Sequence, residues 1–297
     1  MLRSMYSAIS GMQSFATMLD VVGNNIANVD TYGFKSGRAD FSDILSQTVT
    51  GGSAPVTGVA GGTNPKQVGL GVNVAAIETL FTPGADQTTG NPTDLAIDGG
   101  GLFVVSQNGT TTDPLLLTRA GNFTVDSAGN VVLPSGAIAM GFDSNNTPVG
   151  GSTTSNTTLK AVNLSAMATA TLPLGTTLAN SPDLQIGQDG SINVTDSNGN
   201  RQVIGYLALA NVSNPGGMDK VGDSLFQTSA NSGAPTYLMP GTNTSGTLRA
   251  GALEMSNVDL TTEFAAMIVA QRGFDANSHM IGTDNAVLND IVNLKNS

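Results

Sequence analysis

The chain has no cysteine and no tryptophan. It therefore has no disulfides and no thiolate chemistry, and it can cross a redox boundary without mispairing. Only one residue is histidine, so a metal site would have to rest on carboxylates. A Ser-His-Asp arrangement would have to use His279, which sits in a helical pattern and reads as an interface residue. Charged residues make up 11% of the chain, against roughly 25% in an average soluble protein. Aromatics are 5%, and the deficit is filled by Gly, Ser, Thr and Asn, which predicts a neutral polar surface of the kind suited to touching copies of itself. Basic residues are half as many as acidic ones, for a net charge of −11. That balance argues against a nucleic-acid partner and supplies no polybasic membrane anchor. No apolar run approaches 18 residues, so no membrane insertion is expected. The opening "MLRSMYSAISGMQSF" lacks the continuous apolar segment and cleavage site of a signal peptide. No cofactor or catalytic constellation is read, and the chain is not expected to be an enzyme.

What is present is organised by period. Leu2, Ile9, Ala16 and Gly23 recur every seven residues, with Met5, Met12, Leu19 and Ile26 three residues on. This predicts one helix over 2–29 with a heptad seam, but without the charged flanks of a two-stranded coiled coil in water. Asp259 is a candidate N-cap for a second helix, with Glu263 in its first turn. Leu260, Met267, Phe274, Ile281 and Leu288 repeat every seven residues, and Phe264 and Val292 belong to the companion series. Each helix leaves an apolar face that the other can cover. Between them lie short alternating runs such as "LAIDGGGLFVV" and "RQVIGYLALANV", separated by turn signals at Asn108-Gly109, 126–130 and 196–200.

The expected fold is therefore α+β and multidomain: N- and C-terminal helices paired as a coiled-coil-like stalk, and an all-β middle domain whose outer β-domain is small or absent. The expected divisions are 1–32 with 254–297 as a helical domain, 33–75 with 236–253 as a connecting region, and 76–142 with 183–235 as the β-domain. Residues 143–182, nearly chargeless, read as a weakly structured connection or a small β insert. The first helix ends in "NNIANVDTYGFKSGR". Asn24, Asn25 and Asn28 can satisfy terminal carbonyls or bond neighbouring backbones. Gly33 suits a positive-φ turn, and Phe34 can anchor the returning chain. With Lys35, these form a candidate joint between stalk and body. Lys35 and Arg38 together suggest contact with acidic neighbouring subunits.

"LDVVGNNIANVDTYGFKSGRADF" at 19–41 and "GALEMSNVDLTTEFAAMIVAQRGFDANSHMI" at 251–281 resemble the terminal signatures of the flagellar axial family of rod, hook and hook-associated subunits. "VGLGV", "DLAIDGGGLFVV" and "TRAGNFTVDSAGN" resemble the family's β-domain motifs in order. Within it, "YGFKSGRADF" and "GALEMSNVDL…MIVAQR" look most like hook subunits, and the short length and "GGTNPKQVGLG" resemble the compact hook subunits of Gram-positive bacteria, whereas the long loop at 46–70 resembles the distal rod subunit. The resemblance implies a structural subunit polymerising through its terminal helices into a tube. The first expectation is a flexible hook that transmits torque; the alternative is a rigid distal rod. The implied partners are copies of itself, the rod, the hook cap, the hook–filament junction protein and the type III export gate. It also implies an extracellular location in the flagellum, reached without a cleaved signal. "FSDIL" resembles the export-gate docking pattern, with Phe41 and Leu45 as its two apolar positions. If these two dock the chain, changing both to Ala stops secretion while subunit accumulates in the cytoplasm; normal secretion of the double variant removes the pattern from the account.

Overall fold

A computed structural model of the chain describes residues 2–55, 61–110, 114–143, 152–153, 159–171, 184–195, 200–242 and 244–295. It contains three α-helices among them: α1 Leu2–Ala27, α2 Leu164–Thr171 and α3 Leu260–Lys295. The chain divides into two compact units. One comprises 1–27, 37–78 and 259–297, the other 28–36 and 79–258.

The first unit is built on α1 and α3. Asp259 caps α3, its carboxylate accepting from the Thr261 amide at 2.9 Å and the Thr262 hydroxyl at 2.9 Å. The two helices run antiparallel in one register. Ser4 donates to Asp284 at 2.6 Å, and Asn25 donates to Glu263 at 3.0 Å. Between them Gly11 faces Asn277, where an added Cβ would lie 2.7 Å from Nδ2, and Gly273 receives the Phe15 ring. In each pair the two residue numbers add to 288. The face that α1 buries runs through Ala8, Gly11, Ser14, Val22 and Asn25, and on α3 Ala270 is fully buried.

This face coincides only in part with the one the apolar heptads predict. Met5, Met12, Leu19, Ile26, Met267, Ile281 and Leu288 are half-buried; Ile9, Leu260, Phe264, Phe274 and Val292 are exposed. Leu2 is helical, and its side chain lies outside the described residues. The reason is steric. Glycine and alanine let two backbones approach closely, so the small-residue stripe wins the contact, and the large residues are left on the flanks. Tyr6, Ile268, Val269 and Leu294 are also open, Tyr6 at 69% and Leu294 at 76%.

The same unit holds the strand Gly37–Asp43, which pairs with Val72–Thr79. The Phe41 ring lies 6.0 Å from that of Phe15 on α1, and Ser10 accepts from the Val72 amide. The stretch at 46–70 contains an antiparallel pair, Ser46–Thr50 with Lys66–Gly69, both strands exposed throughout. Residues 56–60 lie outside the described residues.

The second unit is the β body. Its main sheet has fourteen strands among the described residues. Its central path runs Ser152–Thr153, Thr236–Leu238, Leu209–Asn211, Leu102–Ser106, Ile138–Asp143, Arg201–Leu207, Ser191–Thr195, Gln185–Ile186. Leu102–Ser106 is buried on both faces: Phe103 and Val105 join one apolar cluster, Leu102 and Val104 another. The turn at 126–130 is closed by Asp126, whose carboxylate accepts from the amides of Ala128 and Asn130. Of residues 143–182, Val162, Leu164 and Met167 are buried in the first cluster and Leu159 in the second, α2 lies against Arg201–Leu207, and 144–151, 154–158 and 172–183 lie outside the described residues. Two further pairs bring the late sequence back: Thr247–Ala250 beside Leu95–Asp98, and Ala252–Glu254 beside Asp86–Thr88.

Burial pushes the Glu263 carboxyl above its ordinary value, against the pull of the Asn25 hydrogen bond. A carboxyl with a raised folded value favours helix docking at pH below its unfolded value. That contribution is lost as pH rises through the folded value. Glu263→Gln keeps an acceptor for Asn25 and removes the charge. At neutral pH it is expected to slow amide exchange across 2–27 and 260–295 and to flatten its dependence on pH. Faster exchange in the variant contradicts the assignment.

Candidate functional site

The helix-terminal segment, the β body and the approach to α3 meet at one buried group of charges. Residues 28–36 belong wholly to the β unit. After α1 the chain turns through Thr31, whose amide donates to the Asn28 carbonyl and whose hydroxyl donates to Asn28 Oδ1. It reverses at Gly33, which has φ +67° and donates its amide to the Glu254 carbonyl at 2.8 Å. The expected positive-φ turn is found here, and a Cβ would in addition overlap the backbone of Arg119 and Ala120. The reversal aims Lys35 inward.

The Lys35 side chain is 0% exposed, that of Glu254 1% and that of Arg119 7%. Lys35 Nζ donates to Glu254 Oε1 at 2.6 Å and to the Thr82 carbonyl at 2.8 Å. Arg119 Nη1 donates to Glu254 Oε2 at 3.0 Å and to the Ile97 carbonyl at 3.1 Å; its Nη2 donates to the Gly99 carbonyl at 2.6 Å. The Gly84 amide completes the set on Oε1 at 2.9 Å. Burial draws the Lys35 ammonium below its ordinary value, and the hydrogen bond and charge of Glu254 oppose that shift. With two cations on the two oxygens of one carboxylate, every charge has a partner, which is the condition for burying charge at all.

The expectation that Lys35 and Arg38 meet acidic neighbouring subunits is thus corrected. Lys35 is consumed inside its own chain, and Arg38 pairs with Asp40 at 3.1 Å and Glu78 at 2.8 Å. Of the two roles open to the amide cluster, Asn25 takes the bonding of a neighbouring backbone. Asn25 exchanges both hydrogen bonds with the backbone of Gly37, accepting from its amide at 2.9 Å and donating to its carbonyl at 2.8 Å, like a rung of a sheet. Asn257 holds the β-unit side in the same manner, accepting from the Ser36 amide and donating to the Leu80 carbonyl. Asn24 is exposed. The Phe34 ring is half-buried beneath the Lys220 ammonium, 5.1 Å from its centroid, and Lys220 also donates to the Lys35 carbonyl. Phe41 and Leu45 are both accessible, Leu45 at 83%.

Arg119, Glu254 and Asn257 were missed as partners. Arg119 and Glu254 stand inside the apolar runs "LLLTRAGNF" and "AGALEMSNV" of a chain poor in charge, which was the available signal. No group of three His, Asp or Glu among the described residues is placed to hold a metal ion. An open groove of about 440 Å³ between Pro92 and Ile186 carries no ionisable side chain. No helix among the described residues is long and apolar enough to cross a membrane.

Three known families match in the regions just described. The family described as flagella basal body rod protein matches residues 5–35, the flagellar hook protein FlgE/F/G D1 domain matches 96–194, and the flagellar basal body rod FlgEFG protein C-terminal region matches 249–294. Lys35, Arg119 and Glu254 fall one in each. The chain is 43% identical to the flagellar basal-body rod protein FlgG of Bacillus subtilis (strain 168), covering 99% of this chain and 100% of that one. It is 32% identical to the FlgG of Caulobacter vibrioides over 97% of each chain. It is 32% identical to the flagellar hook protein FlgE of Borreliella burgdorferi, covering all of both chains. The chain belongs to the flagellar rod and hook protein family.

Gly33→Ala forces a side chain into backbone at positive φ and is expected to cost about 3 kcal/mol or more in the β unit. Asn28→Ala, which removes the part-buried acceptor of the Thr31 hydroxyl, is expected to cost about 1 kcal/mol. Denaturant titration of the full chain, followed by β-sheet circular dichroism, ranks the two; equal midpoints contradict the packing described.

Proposed function

We propose that the chain is a rod subunit of the flagellar basal body, a non-enzymatic structural protein that polymerises into a straight tube acting as a drive shaft. This replaces the hook as first reading. The observation that carries it is the end-to-end match to a rod protein at 43% identity. The alignment with the Borreliella hook protein runs over 447 positions against the 297 residues of this chain, which leaves 150 positions of that relative without a counterpart here. A β body with no added outer domain among the described residues suits the rod. So does the exposed pair Ser46–Thr50 and Lys66–Gly69, in the stretch where the sequence resembles distal rod subunits.

The hook remains the second reading, favoured by 46% identity to the FlgE of Helicobacter mustelae over 142 residues, 48% of this chain and 31% of that one. Under either reading the apolar flanks of α1 and α3 are the polymerisation surface, since Tyr6, Phe264, Ile268, Val269 and Val292 lack cover in the single chain. Burying a large apolar side chain is worth about 1.5–3 kcal/mol, so a few per copy suffice to drive assembly. The partners follow from the tube: copies of itself, adjoining rod and hook components, and the flagellar export gate.

Electron micrographs of polymers grown from the full chain decide between the two. Straight, unbending tubes are expected. Supercoiled tubes that change curvature would return the hook to first place.

A further inference from the structure

Lys35, Arg119 and Glu254 are far apart along the chain, and two of the three are cations. Both face one carboxylate, which alone supplies negative charge to the buried site. Without Glu254 the ammonium and the guanidinium would keep only the carbonyls of Thr82, Ile97 and Gly99 as acceptors. Two like charges would then be confined in a site from which water is excluded, among the most costly arrangements in a folded protein. The same segment brings more than charge. Thr247–Ala250 pairs with Leu95–Asp98, Ala252–Glu254 pairs with Asp86–Thr88, and the Glu254 carbonyl receives the Gly33 amide. Residues 28–36, 79–99, 119 and 247–254 therefore close on one another at a single point.

We infer that Glu254 is the closing element of the β unit: residues 28–36 and 79–258 fold as one cooperative body only once this carboxylate is delivered. Domains generally begin to fold from the N-terminus as the chain appears. Here the charge that permits closure is residue 254, so the body stays open until the chain is available as far as that residue. The device would suit a subunit carried unfolded to its place of assembly, and it is independent of the choice between rod and hook.

The experiment is amide exchange on the full-length chain, comparing wild type, Glu254→Gln and the triple variant Lys35→Met, Arg119→Met, Glu254→Met. Glu254→Gln keeps shape and leaves two buried cations. Its protection is expected to fall together, by about 100-fold or more, across Leu102–Ser106, Ile138–Asp143 and Arg201–Leu207, strands that supply no partner to the triad. The triple variant has no charge to neutralise and is expected to recover that protection to within about 10-fold. Loss confined to 33–36, 82–99 and 247–254 would overturn the inference, because the triad would then be a local clasp. So would unchanged protection in Glu254→Gln, or a triple variant as unprotected as the single one, since charge would not be the reason.

Discussion

One carboxylate organises the molecule. Glu254 takes both buried cations, the Gly84 amide and, through its carbonyl, the turn at Gly33. Each of those contacts fixes a different stretch of chain. The Gly33 reversal exists because Lys35 must point inward; the reversal needs a residue without Cβ because Arg119 and Ala120 pass directly beneath it. Such a site contributes little net stability compared with apolar residues of the same size, because desolvation offsets most of the attraction. What it supplies is selectivity. A helix-terminal segment that arrived in another register would bury an ammonium without an acceptor, and the penalty for that is several kcal/mol.

The seam between α1 and α3 follows the same logic by other means. Its inner face carries Ser4, Ala8, Gly11 and Asn25 against Glu263, Ala270, Gly273, Asn277 and Asp284. Little apolar area is removed from water there, but the polar pairs and the fit of Phe15 at Gly273 define one register. Specificity is placed inside the pair and hydrophobic driving force on its flanks. The free helix pair is consequently weak for its length, since most helical stability in water comes from burying an apolar face.

Much of this was legible from residue order. The 3.5-residue period placed both terminal helices, Asp259 announced the start of the second, and the positive φ of Gly33 followed from its position after the amide cluster. The strands of the β body were marked by alternation and by turn signals such as "DSAGN". What was not legible depended on three dimensions. An apolar heptad reports which residues avoid water, not which neighbour covers them, so the seam was assigned to Ile9 and Phe274 when the close contact belongs to Gly11 and Gly273. Lys35 was read as a surface charge because lysine is rarely buried; its partner lies 219 residues away and no local pattern links them. The strand pair at 46–69 was taken for a loop because its Gly, Thr and Pro content hides a two-stranded ladder with no buried side. Leu159 to Met167 gave too short an apolar run to separate a connection from part of the core.

Charge bears on the assembly proposed above. The triad sums to +1, so the remainder of the chain carries −12 of the formal −11. Arg38, Lys160 and Arg249 already answer carboxylates of their own chain. Copies brought together carry like net charge and repel, though salt screens exposed charges beyond about 8 Å at physiological ionic strength. Under the proposed reading the attraction that offsets this repulsion comes from surface that loses water on contact. The large apolar residues of the terminal helices that stay exposed in the single chain are a source of it.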